Sequence, residues 1–291
     1  MIHVFDKKVV LFLEGLGNQL FQFVFMLYLK EKQGKHVEFN ASFYKNRNVH
    51  EGFQAKLVFD FSDFKESKKN LYFLYRLCRK MKFRGSTWVW GHDDNVSCGF
   101  QYPLYRGYWQ NLLYFNEIKD SIKQYELDLK PYANKEFLNK IMEGKSMFVH
   151  VRRGDYLRKG SIFLDLSSTN YYHKALEVAK GYCGDANIFV FSDDIAWCRD
   201  YFSAYKNFNY IEYENQSAVS DLALMSYCDY GIIANSSFSW WGAMLNKDKI
   251  VMCPNKYYNE QLNNDHDNYE CPSSWIPVDI NDTSKMKENE R

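Results

Sequence analysis

Val9 to Leu13 is an unbroken apolar run, closed by Glu14. A run of that length reads as a strand buried on both faces. Gly15-Leu16-Gly17 breaks it. Leu20, Phe21, Val24, Leu27 and Tyr28 then recur at helical spacing, which predicts a helix from Asn18 to about Lys32. Val37 to Phe39 reads as a second strand. Farther on, Met147–Val151, Ile188–Phe191, Gly231–Ala234 and Ile250–Pro254 are short apolar runs that read as strands, the last of these being the final one. Helical patterns at Tyr171–Lys180, Ser220–Cys228 and Phe238–Leu245 alternate with them. Short buried strands alternating with helices predict a parallel α/β sheet. The alternation restarts near residue 146, so two domains are expected, 1–145 and 146–280, with a polar tail at 281–291.

Length and composition fit that picture. The chain has 291 residues, 46% hydrophobic and 25% charged. That excludes a mainly disordered chain. Lys plus Arg number 37 against 36 Asp plus Glu, a balance that argues against a dedicated nucleic-acid binder. Aromatics reach 18%, enough for a ring-rich core or for sugar- and base-stacking surfaces. The seven cysteines are odd in number and none are paired as CxxC, so they read as reduced thiols of a cytosolic protein. No signal peptide or apolar run of membrane-spanning length occurs, which predicts a cytoplasmic protein, at most peripheral on a membrane. Lys65 to Arg84 stands apart. It carries eight Lys or Arg against one acid, interleaved with Leu71, Phe73, Leu74 and Leu77. It reads as a solvated amphipathic helix, or as a segment drawn to anionic lipid.

Four motifs could carry chemistry. Gly15-Leu16-Gly17-Asn18-Gln19-Leu20 lacks the third glycine of a dinucleotide fingerprint. It still offers backbone amides and a helix N-terminus to an anion, with Asn18 as a further donor or simply as helix cap. His150-Val151-Arg152-Arg153-Gly154-Asp155 follows a strand, the position where open α/β sheets bind ligands. Adjacent arginines point different ways, so one is expected toward ligand and one into the protein; an Arg–Asp155 ion pair is the structural alternative. Ser192-Asp193-Asp194 also ends a strand, suited to a hydroxyl, a metal or a helix cap. Asn235-Ser236-Ser237-Phe238-Ser239 would form a phosphate cradle at a helix N-terminus, or an ordinary serine cap. Asp265-His266-Asp267 matches the DxD pattern of metal-dependent sugar transferases but reads as a solvated loop. Taken together, these residues suit a diphosphate neutralised by arginine, hydroxyls and helix dipoles, as a nucleotide-sugar transferase needs.

The blocks Gly15–Gln22, His150–Tyr156, Phe191–Asp194 and Asn235–Gly242 occur in an order that closely resembles the bacterial α-1,2-fucosyltransferases of glycosyltransferase family 11. The resemblance implies a GT-B-type α/β fold with two facing Rossmann-like domains. It implies GDP-β-L-fucose as donor, inversion to an α-1,2 link on a galactoside, and no metal or other cofactor. Arg152 would grip the β-phosphate, and His150 with Asp193 or Asp194 would contact guanine. Arg153, Asn235, Ser236, Ser237 and Ser239 would complete the donor site, and Asn18 would face phosphate and acceptor. Arg152 and Asp155 are the expected catalytic pair, Asp155 as base or as a group orienting an arginine. The acceptor would be a galactoside glycan, lipid-linked if the basic Lys65–Arg84 segment meets a membrane; no nucleic acid is expected. Two other classes remain: a GT-B transferase with another sugar or linkage, and a non-catalytic carbohydrate-binding protein.

Overall fold

A computed structural model describes residues 7–45, 47, 49–80, 90–91, 102–158, 162–246, 248–258 and 271–280. The Asp265-His266-Asp267 loop, the tail from Asn281, and the end of the basic stretch beyond Lys80 lie outside them. The chain divides into two compact units, Met1–Leu129 and Lys130–Arg291.

In the first unit β1 (Lys7–Leu11), β2 (His36–Asn40), β3 (Lys65–Glu66), β4 (Trp90–Gly91) and β5 (Leu104–Tyr105) form one sheet in the order β3-β2-β1-β5-β4. Each neighbouring pair is parallel, with Val9 opposite Glu38 and Leu104. The order reverses between β1 and β5. α1 (Leu16–Glu31) is buried over nearly its whole length, including Gln19 and Gln22. A helix apolar all round must be covered all round, and rings cover this one. Phe23 stacks on Phe59 with centroids 4.5 Å apart, and Phe25 on Trp109 at 3.8 Å. Phe12, Phe39, Phe53 and Phe61 cluster edge to face beside it. Much of the aromatic excess of this unit is therefore core. α2 (Leu71–Lys80) buries Leu71 but leaves Phe73, Leu74 and Leu77 exposed. α3 (Leu112–Ile122) starts at Asn111, whose side chain caps the helix on Leu113 N.

The second unit opens with α4 (Lys135–Met142), capped by Asn134. Its sheet is built from β6 (Ser146–Val151), β7 (Asn187–Ser192), β8 (Phe208–Tyr210), β9 (Tyr230–Ile232), β10 (Ile250–Pro254) and β11 (Ile276–Val278). The order β8-β7-β6-β9-β10-β11, all parallel, is the 3-2-1-4-5-6 order of a doubly wound Rossmann sheet. α5 (Tyr171–Cys183), α6 (Ile195–Tyr201), α7 (Ala218–Tyr227) and α8 (Ser237–Met244) connect the strands. Val149, Val190, Ile232 and Met252 form the sheet's share of the core, with Tyr171 and Tyr172 packed on it.

Two expectations are corrected. The strand 250–254 is not the last: β11 pairs with it, Met252 opposite Ile276 and Pro254 opposite Val278. Pro277 is tolerated because β11 is an edge strand. The division of the chain falls after Leu129 rather than 145, because α4 packs on α7 within the second unit.

Candidate functional site

In a doubly wound sheet the ligand crevice opens where strand order reverses, beyond the carboxyl ends of the strands. In the second unit that point lies between β6 and β9. His150 stands at the end of β6, buried, with Phe238 of α8 beside it at 5.6 Å between ring centroids. Burial first, then the charge of Arg152, pushes its pKa down to about 3, so the imidazole is neutral. Its Nδ1 is buried without a hydrogen-bond partner among the described residues. An orphaned buried nitrogen costs about 1–3 kcal/mol and is what a base-recognising ring would carry before its ligand arrives.

The two arginines do diverge. Arg153 turns inward: Nη1 donates to Ser167 Oγ at 2.6 Å, Nε to Asp194 Oδ2 at 3.1 Å, and the guanidinium lies 4.1 Å over the Trp197 ring. Trp197 continues a stack through Tyr201, His173 and Tyr205. Arg152 turns outward. Its Nε and Nη2 both reach Asp155 Oδ1, at 2.9 and 2.6 Å, and Nη1 lies 3.2 Å from Asp193 Oδ2. Half-exposed pairs of this kind contribute about 0–1 kcal/mol, so they orient the guanidinium more than they stabilise the fold. Asp155, taken up by Arg152, sits where an orienting carboxylate belongs.

The remaining motif residues separate into framework and surface. Asp194 is committed twice, to Arg153 and as the cap of α6 through Trp197 N. Asp193 accepts from Arg153 N at 2.9 Å and keeps Arg152 in place. Gly154 makes that possible, since a Cβ there would stand 2.5 Å from Asp193 Oδ2. Ser236 caps α8 on Phe238 N. Ser239 is fully buried and its hydroxyl turns back to Ser236 O and Ala234 O. Asn235 ties Leu164 O and Tyr257 O together through Nδ2, leaving Oδ1 buried without a partner. Ser237 opens α8 and is half-buried. The structure thus gathers all the second-unit candidates at one sheet edge. It assigns Arg153, Asp194, Asn235 and Ser239 to holding that edge together.

At the corresponding edge of the first unit, the glycine turn is held by amide side chains. Gln19 Nε2 donates to Glu14 O and Gly52 O, while its Oε1 accepts from Gln54 N and Ala55 N. Gln22 accepts from Leu13 N and donates to Leu13 O and Gly107 O. Asn18 Oδ1 accepts from Gln110 Nε2, next to the switch between β1 and β5. Glu14, at φ 64°, and His50 and Glu51, at φ 51° and 56°, occupy the left-handed region. That region costs a residue with a Cβ about 1–2 kcal/mol. Glu14 Oε2 and His50 Nε2 meet at 3.2 Å.

Sequence reasoning singled out neither Glu14 nor His50, nor Ser167, Trp197 and Gln110. A glutamate directly between a buried strand and a glycine turn is a readable signal. The segment carrying His50 has no period to read.

Among the described residues no group of His, Cys, Asp and Glu could hold a metal ion, and no helix is long and apolar enough to cross a membrane. The chain is 32% identical over 288 residues to an α-1,2-colitosyltransferase of Escherichia coli, spanning 91% of this chain and 96% of that one. It is 29% identical over 280 residues to the O-antigen biosynthesis glycosyltransferase WbnK of the same organism, at 84% and 92% coverage. Among solved structures it resembles the NodZ α-1,6-fucosyltransferase soaked with GDP-fucose, with a TM-score of 0.52 at 12% identity over 82% of this chain and 92% of that one. That likeness shows the α/β fold with parallel sheets expected from the strand and helix pattern. The model of glycosyl transferase family 11 matches residues 16–278, and the chain belongs to that family.

Proposed function

We propose that this glycosyltransferase moves L-fucose from GDP-β-L-fucose to the 2-hydroxyl of a terminal galactoside, with inversion to an α-1,2 link, in surface polysaccharide synthesis. The observation that carries the reading is Arg152. It is an always-charged, outward-facing guanidinium at the switch point of a 3-2-1-4-5-6 sheet, oriented by Asp155 and Asp193. The relatives' names, one an α-1,2-transferase and one an O-antigen enzyme, support the linkage and the product class.

The chemistry is direct displacement at the anomeric carbon. The acceptor oxygen forms its bond as the bond to the β-phosphate oxygen breaks, and the electron pair leaves with GDP. Negative charge grows on the leaving diphosphate, and Arg152 with the amide-bearing start of α8 stabilises it, the effect usually largest in such reactions. Asp155 orients Arg152. His150, neutral and with Nδ1 unsatisfied, would read the guanine together with Asp193. In this reading the protein's own charges offset the diphosphate and no divalent ion is needed. The enzyme works in the cytoplasm, and α2 brings it to a lipid-linked acceptor at an anionic membrane.

A second reading keeps the nucleotide and the linkage but replaces fucose by colitose, which lacks the 3-hydroxyl; the 32% identical relative favours it. GDP release from GDP-fucose and from GDP-colitose, with and without a β-galactoside and in excess EDTA, tests both. Galactoside-dependent release from GDP-fucose supports the main reading. Release only from GDP-colitose gives the second. Release abolished by EDTA removes the metal-free mechanism, and absence of GDP binding removes the function.

A further inference from the structure

We infer that His50, held by Glu14, accepts the proton of the acceptor hydroxyl. The inference rests on the transfer reaction proposed above, in which that oxygen must lose its proton as it attacks. Asp155, the carboxylate that the arginine motif offers, already receives two guanidinium nitrogens of Arg152. The first unit holds another group able to accept a proton.

Glu14 leaves the end of β1 in the left-handed region, at the reversal point between β1 and β5. Facing it, His50, Glu51 and Gly52 form three consecutive positive-φ residues. Side chains with a Cβ enter that region only when their surroundings hold them there. Here the surroundings do so on both sides. Gln19 bonds Glu14 O and Gly52 O with one amide group and Gln54 N and Ala55 N with the other oxygen. Tyr44 Oη donates to Glu14 O at 2.7 Å. The product of this clamping is one side-chain contact, His50 Nε2 to Glu14 Oε2 at 3.2 Å, with both side chains partly open to solvent. An exposed ion pair does not repay such strain through stability. A positioned acid–base pair explains it.

The carboxylate on Nε2 fixes the tautomer and leaves Nδ1 as the proton acceptor, as an oriented imidazole requires. Nδ1 lies 3.8 Å from where a Cβ of Gly15 would stand, and it has no partner among the described residues. The hydroxyl proton passes to Nδ1, the oxygen's electron pair forms the glycosidic bond, and the bond to GDP breaks with its electrons leaving on phosphate. Among the described residues, Tyr44 is bonded to Glu14 O, and Glu51 neighbours His50 in the chain. Tyr44 is kept protonated by burial and by the Glu14 charge. Glu51 is engaged by Gln54 Nε2 at 2.8 Å.

The test uses the full chain with His50→Gln and Glu14→Gln. Galactoside-dependent GDP release is measured from pH 5 to 9, with GDP affinity determined in parallel. His50→Gln is expected to lower kcat about 10²–10⁴-fold, leave GDP affinity within about threefold, and abolish the acidic limb of the kcat/KM profile. Glu14→Gln keeps an acceptor for Nε2, and is expected to lower kcat less and to shift that limb rather than abolish it. A His50→Gln enzyme with wild-type kcat and an unchanged profile overturns the inference. So does a variant whose loss lies in GDP affinity alone. If the wild-type chain itself releases no GDP in response to galactoside, the reading of function fails, and that outcome is distinct from either.

Discussion

Gln19→Ala isolates the device that holds the first unit's edge. The side chain is fully buried and each of its polar atoms makes two bonds to backbone: 3.1 and 2.9 Å from Nε2, 2.8 and 2.9 Å to Oε1. Truncation orphans Gly52 O and the amides of Gln54 and Ala55, while Glu14 O keeps its bond from Tyr44 Oη. A buried group left without a partner costs about 1–3 kcal/mol. Water can reach the partly exposed Gly52 and Gln54, so the buried Ala55 N counts in full, about 1–3 kcal/mol. Because 1.4 kcal/mol is a factor of ten, local opening at 50–55 should become about 5- to 140-fold more frequent. Amide hydrogen exchange read by mass spectrometry on peptides spanning 50–58 measures this directly, with a β6 peptide as internal reference. Gln19→Glu should do no better, since its second oxygen would face two carbonyls. Exchange within threefold of wild type in both variants would refute the role given to Gln19. Uniform acceleration, the β6 peptide included, would show global unfolding instead of a local clamp.

Arg152→Ala is expected to lower single-turnover transfer about 10²–10³-fold, and Arg152→Lys to recover only part of that because the two-nitrogen grip on Asp155 is lost; near-wild-type rates in either variant would remove Arg152 from the reaction. His150 is neutral in the folded chain down to about pH 3, whereas the unfolded chain protonates it near the ordinary value of about 6.5. The unfolded state therefore binds the extra proton between those values, and stability should fall on acidification below 6.5 by up to about 1.4 kcal/mol per pH unit. Urea midpoints at pH 7 and 5 should show a shallower loss for His150→Gln, and equal losses would place the imidazole in water. The exposed apolar residues of α2, flanked by exposed Lys68, Lys69 and Arg76, should co-sediment with vesicles containing phosphatidylglycerol. Each charge neutralised should weaken binding about fivefold, from roughly 1 kcal/mol per basic residue. Sedimentation indifferent to these charges would refute the membrane contact.

The parts legible in the sequence were those whose signal is local. β6, β7 and β10 are continuous apolar runs because both faces are covered, and α1 shows its period even though it is buried all round. The split of Arg152 from Arg153 and the capping by Asp194 follow from chain geometry and were expected. β3, β4 and β5 were not expected, because two residues carry no period and their pairing is decided by partners distant in the chain. β11 was hidden by Pro277. Gln19 and Gln22 are spent on backbone groups at 13–14, 52–55 and 107. Nothing local to Gln19 or Gln22 encodes those partners. The Glu14–His50 contact stayed invisible for the same reason: a positive φ at glutamate is imposed by what surrounds it.

The close approach of Gly154 to Asp193 has a consequence for how this enzyme can change by descent. A side chain at 154 would push Asp193 Oδ2 away from Arg152 while 193 remains an aspartate. The two sites, well apart in the chain, are thus inherited as one unit. A lineage that placed a side chain at 154 would loosen Arg152 unless 193 changed with it. Across diverging relatives, then, a residue other than glycine at 154 should travel with a shorter one at 193.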